Sequence, residues 1–269
     1  MKKIFLSFFF LCSLIVLATI SLSAKKTAIV AHRGFWNTPE SGYAENSISS
    51  ITNACKYGFW GCETDLQLTK DGRVLVHHDP NVGSKLISEH NLSEFGTDTL
   101  KNGERVPALE EYLSRFAAVG EGTVLVLELK PQKSAESENI LVERTLSALK
   151  QASLLDAEKV AFISFSRHIC SVVAAKAPDF SNQYLGGDLE PALAKSELGC
   201  NGVDYHFSVF QKHPDWVKRA HKLGMKVNAW TVNSESDLRE MADLKVDQLT
   251  TNEPLTARRL LGRAERRAF

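Results

Sequence analysis

Between Thr27 and Leu261 the chain alternates two hydrophobic rhythms. Short apolar runs, such as TVLVLEL at 123–129 and VAFISF at 160–165, are followed by stretches whose apolar residues recur every three or four positions. Runs of the first kind are strands buried on both faces, and stretches of the second kind are amphipathic helices. This reading predicts strands at 27–33, 62–68, 73–79, 123–131, 160–165, 183–186, 203–207, 227–232 and 246–251. Helices are predicted after Asn46, which is placed to cap one, after Pro107, and at 140–151, 169–176, 190–197, 216–223, 237–244 and 255–261. Repeated strand–helix units imply a parallel sheet covered by helices. The length suits one α/β domain, a (β/α)8 TIM barrel of about 250 residues. The rival, a doubly wound open sheet, lacks the Gly-rich phosphate loop after a strand. Nine strands are one too many, and the surplus falls in a hairpin. Residues 80–107 are weakly patterned and read as a small insertion after the third strand.

The hairpin lies at 63–78, where CETDLQL and RVLVHHD both alternate and Asp71-Gly72 sits between them. The gap is too short for a parallel crossover, so the strands are antiparallel. With a two-residue loop, Leu68 pairs with Leu75 and Asp65 with His78. Glu63, Asp65 and His78 then share one face, and His77 points away. A loop one residue longer would bring His77 to that face instead. Two carboxylates on a buried strand face suit Mg2+ or Ca2+; a surface strand with a polar face is the alternative.

Composition changes the picture little. The 269 residues are 43% hydrophobic and 24% charged, an ordinary globular balance. A formal net charge of zero gives no bulk attraction to nucleic acid or to acidic lipid. The first residues do stand apart: Lys2 and Lys3 precede an apolar run from Ile4 to Ile20, and Ser21 to Ala24 are mostly small. That order is the pattern of a secretory signal peptide over 1–24, with 25–269 as the barrel domain, exported to the periplasm or outside the cell and not held in the membrane once the signal is removed. An uncleaved anchor is the alternative. Four cysteines remain beyond it, Cys55, Cys62, Cys170 and Cys200. They read as buried apolar residues or, after export, as disulfide partners.

Polar residues collect at the carboxyl ends of the predicted strands. His32 and Arg33 end the first, Glu63 and Asp65 lie late on the second, Glu128 and Lys130 end the fourth, and Asn228 and Trp230 share a face late on another. A (β/α)8 barrel builds its active site at that end. The convergence predicts a metal site of Glu63, Asp65 and Glu128 with cationic groups around an anion.

In chain order, HRG at 32–34, ENS at 45–47, ETD at 63–65, HDP at 78–80, ELK at 128–130 and WTV at 230–232 resemble the motifs of the glycerophosphodiester phosphodiesterases. The resemblance implies a barrel like that of phosphatidylinositol-specific phospholipase C, a divalent cation (Ca2+ or Mg2+), and hydrolysis of a small glycerophosphodiester to sn-glycerol 3-phosphate and an alcohol. It implies an acid–base pair of His32 and His78, metal ligands Glu63, Asp65 and Glu128, phosphate-facing Arg33 and Lys130, Glu45 near the site, and Trp230 on the substrate wall. Two other readings remain beside it: a phospholipase D-like lyase acting on sphingomyelin or lysophospholipid, and a non-catalytic barrel that binds a phosphate ligand.

Overall fold

The first strand, β1 (Ala28–Ala31), is buried from end to end because it is paired on both sides. It lies parallel to β11 (Gln248–Thr251), with Ala28 opposite Gln248, and parallel to β2 (Gly61–Leu68), with Val30 opposite Gly61. Those two pairings close the sheet. The computed structural model describes residues 26–262. Between β2 and β11 come β3 (Val74–Val76), the short β4 (Asn81–Val82) and β5 (Lys85–Leu86), then β6 (Val124–Leu129), β7 (Val160–Ser164), β8 (Ser181–Tyr184), β9 (Gly202–His206) and β10 (Lys226–Trp230). The eight strands β1, β2 and β6 to β11 form a closed parallel barrel, and β3 is an antiparallel addition to β2. The fold is the expected α/β barrel with a hairpin irregularity.

Helices α1 (Ile48–Lys56), α2 (Leu109–Val119), α3 (Ala135–Gln151), α4 (Arg167–Lys176), α5 (Pro191–Leu198), α6 (Phe207–Lys212), α7 (Asp215–Lys222), α8 (Glu235–Asp243) and α9 (Pro254–Leu261) punctuate the strands. Of these, α6 has no counterpart in the hydrophobic pattern. Alternate residues of one strand serve different cores. Leu125, Leu127 and Leu129 join the large apolar cluster, while Val124 and Val126 join Val30, Ala161, Ile163 and Leu185 in a second one. Period two explains the division, and it puts Glu128 in line with Val124 and Val126. The four cysteines of the described chain are free and buried, and burial pushes the Cys55 thiol up to about 11.

The hairpin register differs from the expected one by a residue. Leu68 pairs with Val74 and Leu66 with Val76. Lys70, Asp71 and Gly72 form a three-residue loop, bracketed by the Thr69 N–H donating to the Arg73 carbonyl at 2.9 Å. Gly72 takes the left-handed position that closes such a loop, at φ +69°. The Thr69 hydroxyl holds the Asp71 carboxylate at 2.6 Å. The slip sets His77 against Asp65, its N–H donating to the Asp65 carbonyl at 3.0 Å. However, β3 stops at Val76. Beyond it the His77 ring lies 3.0 Å from the Asn81 carbonyl.

The 80–107 segment packs Val82, Ile87, Phe95 and Val106 around Leu75 of β3 in a small apolar cluster. It reaches back over the start of α1. The Glu104 carboxylate accepts from the Ile48 N–H at 2.8 Å and the Ser49 N–H at 3.3 Å, and Asn102 donates to the Ser41 carbonyl at 3.0 Å. The cap residue itself is Ser47, not Asn46. An anion on two unpaired N–H groups at a helix start is stabilising. Glu104→Ala is therefore expected to lower unfolding free energy by about 1–2 kcal/mol, read by urea denaturation; an unchanged midpoint would show that Glu104 holds nothing.

The expected signal peptide at 1–24 lies outside the described residues, as do Arg263, Arg266 and Arg267. Among the described residues, no helix is long and apolar enough to cross a membrane.

Candidate active site

Where β1 ends, the chain turns sharply. Arg33 has φ +51° and Gly34 φ +79°. A side chain at Gly34 would collide with Ser50, whose hydroxyl lies 2.3 Å from where a Cβ would stand. This turn aims the Arg33 N–H at Glu63 Oε2, at 2.7 Å. The Arg33 guanidinium pairs with Glu45 at 2.6 Å and lies 3.8 Å from Asp65. Backbone held in a sparsely populated region is common where function fixes geometry.

Asn46 is a second non-glycine with positive φ, at +54°. Its amide donates to Asp65 Oδ2 at 2.7 Å and accepts from the Thr64 hydroxyl at 2.6 Å and the Asp65 N–H at 3.2 Å. Asn46 is buried and orients the Asp65 carboxylate. Sequence reasoning assigned it to a helix cap; its place beside Glu45 in the ENS motif was the available signal.

Glu63 and Asp65 enter the barrel from β2, and Glu128 from the neighbouring β6, where Asp65 and Glu128 are register partners. All three are buried, and one carboxylate oxygen of each lies within 4.8 Å of the others. Lys130 Nζ stands 2.7 Å from Asp65 and 2.6 Å from Glu128. Burial raises all three carboxyls. In Asp65, Lys130, His78 and the bond from Asn46 outweigh it and hold the group down at about 2. Glu128 is pushed up to about 7 by burial and by Asp65, and Glu63 is raised by burial, Asp65 and Glu128. Nearby cations thus do not suffice for three buried carboxylates. Glu63 Oε1 is buried and, among the described residues, receives no hydrogen bond. Three hard oxygen donors, one unpaired, fit Mg2+ or Ca2+.

His32 sits beside this cluster, its Nε2 3.9 Å from Glu63 Oε2. Its tautomer follows from its other neighbour. The Trp36 indole N–H can only donate, and it meets Asn252 Oδ1 at 3.1 Å. That oxygen is 2.8 Å from His32 Nδ1, so Nδ1 carries the proton and the Nε2 lone pair faces the carboxylates. Burial and the Arg33 charge lower the His32 imidazole to about 4. Asn252, just beyond β11, was not singled out from sequence, because only barrel closure brings it to β1. His78 rests its Nδ1 on Asp79 Oδ1 at 2.8 Å. It lies close enough for its charge to act on both Asp65 and His32. Trp230 stands at the end of β10, its indole N–H spent on the Asp204 carbonyl at 2.9 Å. Beneath it the Asp204 carboxyl is fully enclosed, and burial and Glu128 raise it well above the usual carboxylate range.

Residues 32–256 match the sequence profile of the glycerophosphoryl diester phosphodiesterase family. The chain belongs to that family. As a glycerophosphoryl diester phosphodiesterase family member, it is an enzyme of the phosphoric diester hydrolase class. A glycerophosphodiester phosphodiesterase of Caldanaerobacter subterraneus subsp. tengcongensis is 29% identical over 246 residues, covering 86% of this chain and 96% of that one. The crystal structure of a glycerophosphodiester phosphodiesterase from Parabacteroides distasonis superposes with a TM-score of 0.84 at 36% identity, over 88% of this chain and 97% of that one. An Oleispira antarctica phosphodiesterase, solved in complex with the product sn-glycerol-3-phosphate, is 25% identical with a TM-score of 0.72, over 87% of this chain and 96% of that one.

Proposed function

We propose that this family member hydrolyses glycerophosphodiesters to sn-glycerol 3-phosphate and an alcohol by general acid–base catalysis, with Ca2+ or Mg2+ held by Glu63, Asp65 and Glu128. The observation that carries the reading is the clustering of three buried carboxylates from β2 and β6 beside an imidazole with a free Nε2 lone pair. The product complex of the Oleispira relative supports the substrate class.

A phosphodiester is an anion, and attack on phosphorus is slow until that charge is countered. When bound, the cation would neutralise non-bridging oxygens and act as a Lewis acid. Arg33, anchored by Glu45, and Lys130 add positive charge around the phosphoryl group. His32, neutral across the ordinary working range because its pKa is lowered to about 4, takes at Nε2 the proton of the attacking oxygen, that of water or of the glycerol 2-hydroxyl; in the second case water then opens the cyclic phosphate to sn-glycerol 3-phosphate. His78, with Nδ1 held by Asp79, gives a proton from Nε2 to the leaving alcohol oxygen. Asn252 fixes the His32 ring and Asn46 fixes Asp65. Trp230 forms part of the substrate wall.

The raised carboxyls set a pH dependence for cation binding. Below about 7 Glu128 holds a proton in the metal-free protein, and a cation must displace it. Affinity for Mg2+ or Ca2+ is thus expected to rise with pH, by up to roughly tenfold per unit for each proton displaced, and to level once the carboxyls ionise. Calorimetry at pH 6 in two buffers of unlike ionisation heat should register proton release; equal heats and a pH-independent affinity would contradict it.

Hydrolysis itself is tested with glycerophosphodiesters in the presence of Mg2+ or Ca2+, reading sn-glycerol 3-phosphate by a coupled assay. Release of a cyclic phosphate from sphingomyelin with no glycerol phosphate from any diester would reject the reading. Export by a signal at 1–24 belongs to the same proposal, and N-terminal sequencing of the mature protein should begin near residue 25.

A further inference from the structure

A cleft of about 660 Å³ opens outside the barrel wall, between the tip of the β2–β3 hairpin and α3. Residues 68–72 form one side, and Ser137, Ile140, Arg144 and Ser147 form the other. Their spacing of three, four and three puts these four on one helix face. Gln132 and Lys133, in the loop after β6, and Ser88, from the 80–107 segment, also line it. The size is that of a small-molecule site. The proposed hydrolysis makes no use of it.

Charge in the cleft is unevenly answered. Its carboxylates are engaged: Asp71 by the Thr69 hydroxyl at 2.6 Å and the Leu92 N–H at 3.1 Å, and Glu143 by Lys176 at 3.0 Å. Among its cations, Lys133 pairs with Glu89 at 2.9 Å in open solvent, where such a pair is weak. Lys70 and Arg144 enter no ion pair among the described residues, and Lys70 acts on Glu89 only through space. The Arg144 guanidinium reaches across to the hairpin tip, where a Cβ on Gly72 would stand 4.0 Å from one of its nitrogens.

Ligand chemistry follows from these groups. A guanidinium fork takes two oxygens of an anion and an ammonium takes a third, which a phosphate supplies and a lone carboxylate does not. Inorganic phosphate would leave most of the volume unfilled. No aromatic ring lines the cleft, so a nucleobase finds nothing to stack on. Gln132 is fixed by its amide donating to the Lys130 carbonyl at 2.7 Å. Its side-chain carbonyl and the Ser88 hydroxyl have no hydrogen-bond partner among the described residues, and they suit the hydroxyls of a polyol.

We infer that this cleft binds a small phosphorylated polyol, of which sn-glycerol 3-phosphate is one, at a second site separate from the carboxylate cluster. The inference does not depend on the proposed hydrolysis.

The test reads lysine acetylation residue by residue, by mass spectrometry, in metal-free protein with no diester present. sn-Glycerol 3-phosphate is expected to slow labelling of Lys70 saturably, with a Kd of about 1 mM or below for two charge-assisted contacts. At tenfold excess over Kd about one tenth of the cleft is free, so the slowing should reach roughly tenfold. Lys218, exposed on α7, should label at an unchanged rate. Arg144→Ala should raise the Kd by roughly tenfold or more. Inorganic phosphate should protect Lys70 more weakly, and glycerol not at all. Unchanged labelling of Lys70 at about 10 mM ligand, slowing shared equally by Lys218, or full protection in Arg144→Ala would overturn the site. Protection by inorganic phosphate equal to that by sn-glycerol 3-phosphate would overturn the polyol. None of these readouts involves turnover, so their failure leaves diester hydrolysis standing.

Discussion

Alanine at His32 or at His78 is expected to lower kcat by roughly 10²–10⁴-fold, the usual contribution of a positioned acid or base, with KM changed much less. The two losses should differ in their pH signature. A base works when unprotonated, so its titration gives the acid limb of a bell-shaped profile. With cation saturating, the His32 limb should lie below the ordinary imidazole range, because burial and the Arg33 charge lower it, and His32→Ala should flatten it. The assignment of roles rests on Trp36, which fixes the Asn252 oxygen and with it the His32 tautomer. Asn252→Leu should therefore mimic part of the His32 loss through misorientation. Wild-type turnover in either histidine variant would remove that residue from the chemistry.

Removal of divalent cations is expected to depress turnover by roughly 10³-fold or more, since a Lewis acid at a phosphoryl oxygen is worth several kcal/mol of barrier. Added Mg2+ or Ca2+ should restore the wild type. In Asp65→Asn no concentration should do so, because Asp65 is the carboxylate held ionised in the centre of the cluster by Lys130 and Asn46. A readout independent of turnover accompanies this. At a hundredfold excess over Kd, cation binding adds about 2.7 kcal/mol to wild-type stability, seen as a rise in Tm that Asp65→Asn should lack. Full activity in chelator would show that the carboxylates serve another purpose.

The barrel was legible because parallel strands covered on both faces read as apolar runs, and because Glu128 breaks such a run on the beat of Val124 and Val126. The helix at 207–212 was not, since six residues between two longer elements leave too short a period to see. The hairpin register failed for a local reason. Asp71-Gly72 fits a two-residue loop and also the end of a three-residue one, and the choice lay with Thr69, which binds Asp71, and with the Leu92 N–H, which donates to the same carboxylate at 3.1 Å. The slip exchanged the strand partner of Asp65, yet His78 stays by Asp65 because the strand ends before it. Asn46 was misread because asparagine before a helix is chemically a cap; only its positive φ turns the side chain inward. The rings that meet Trp230 were invisible, because Phe165 and His206 lie far from it in the chain and reach it only when the barrel closes.

The central claim is that carboxylates from two strands bind one divalent ion. Calorimetric titration of metal-free protein with Mg2+ and with Ca2+ tests it without reference to substrate. One site per chain is expected, abolished in Asp65→Asn and in Glu63→Gln but preserved in His32→Ala. Equal stoichiometry and affinity in Asp65→Asn and the wild type would contradict it.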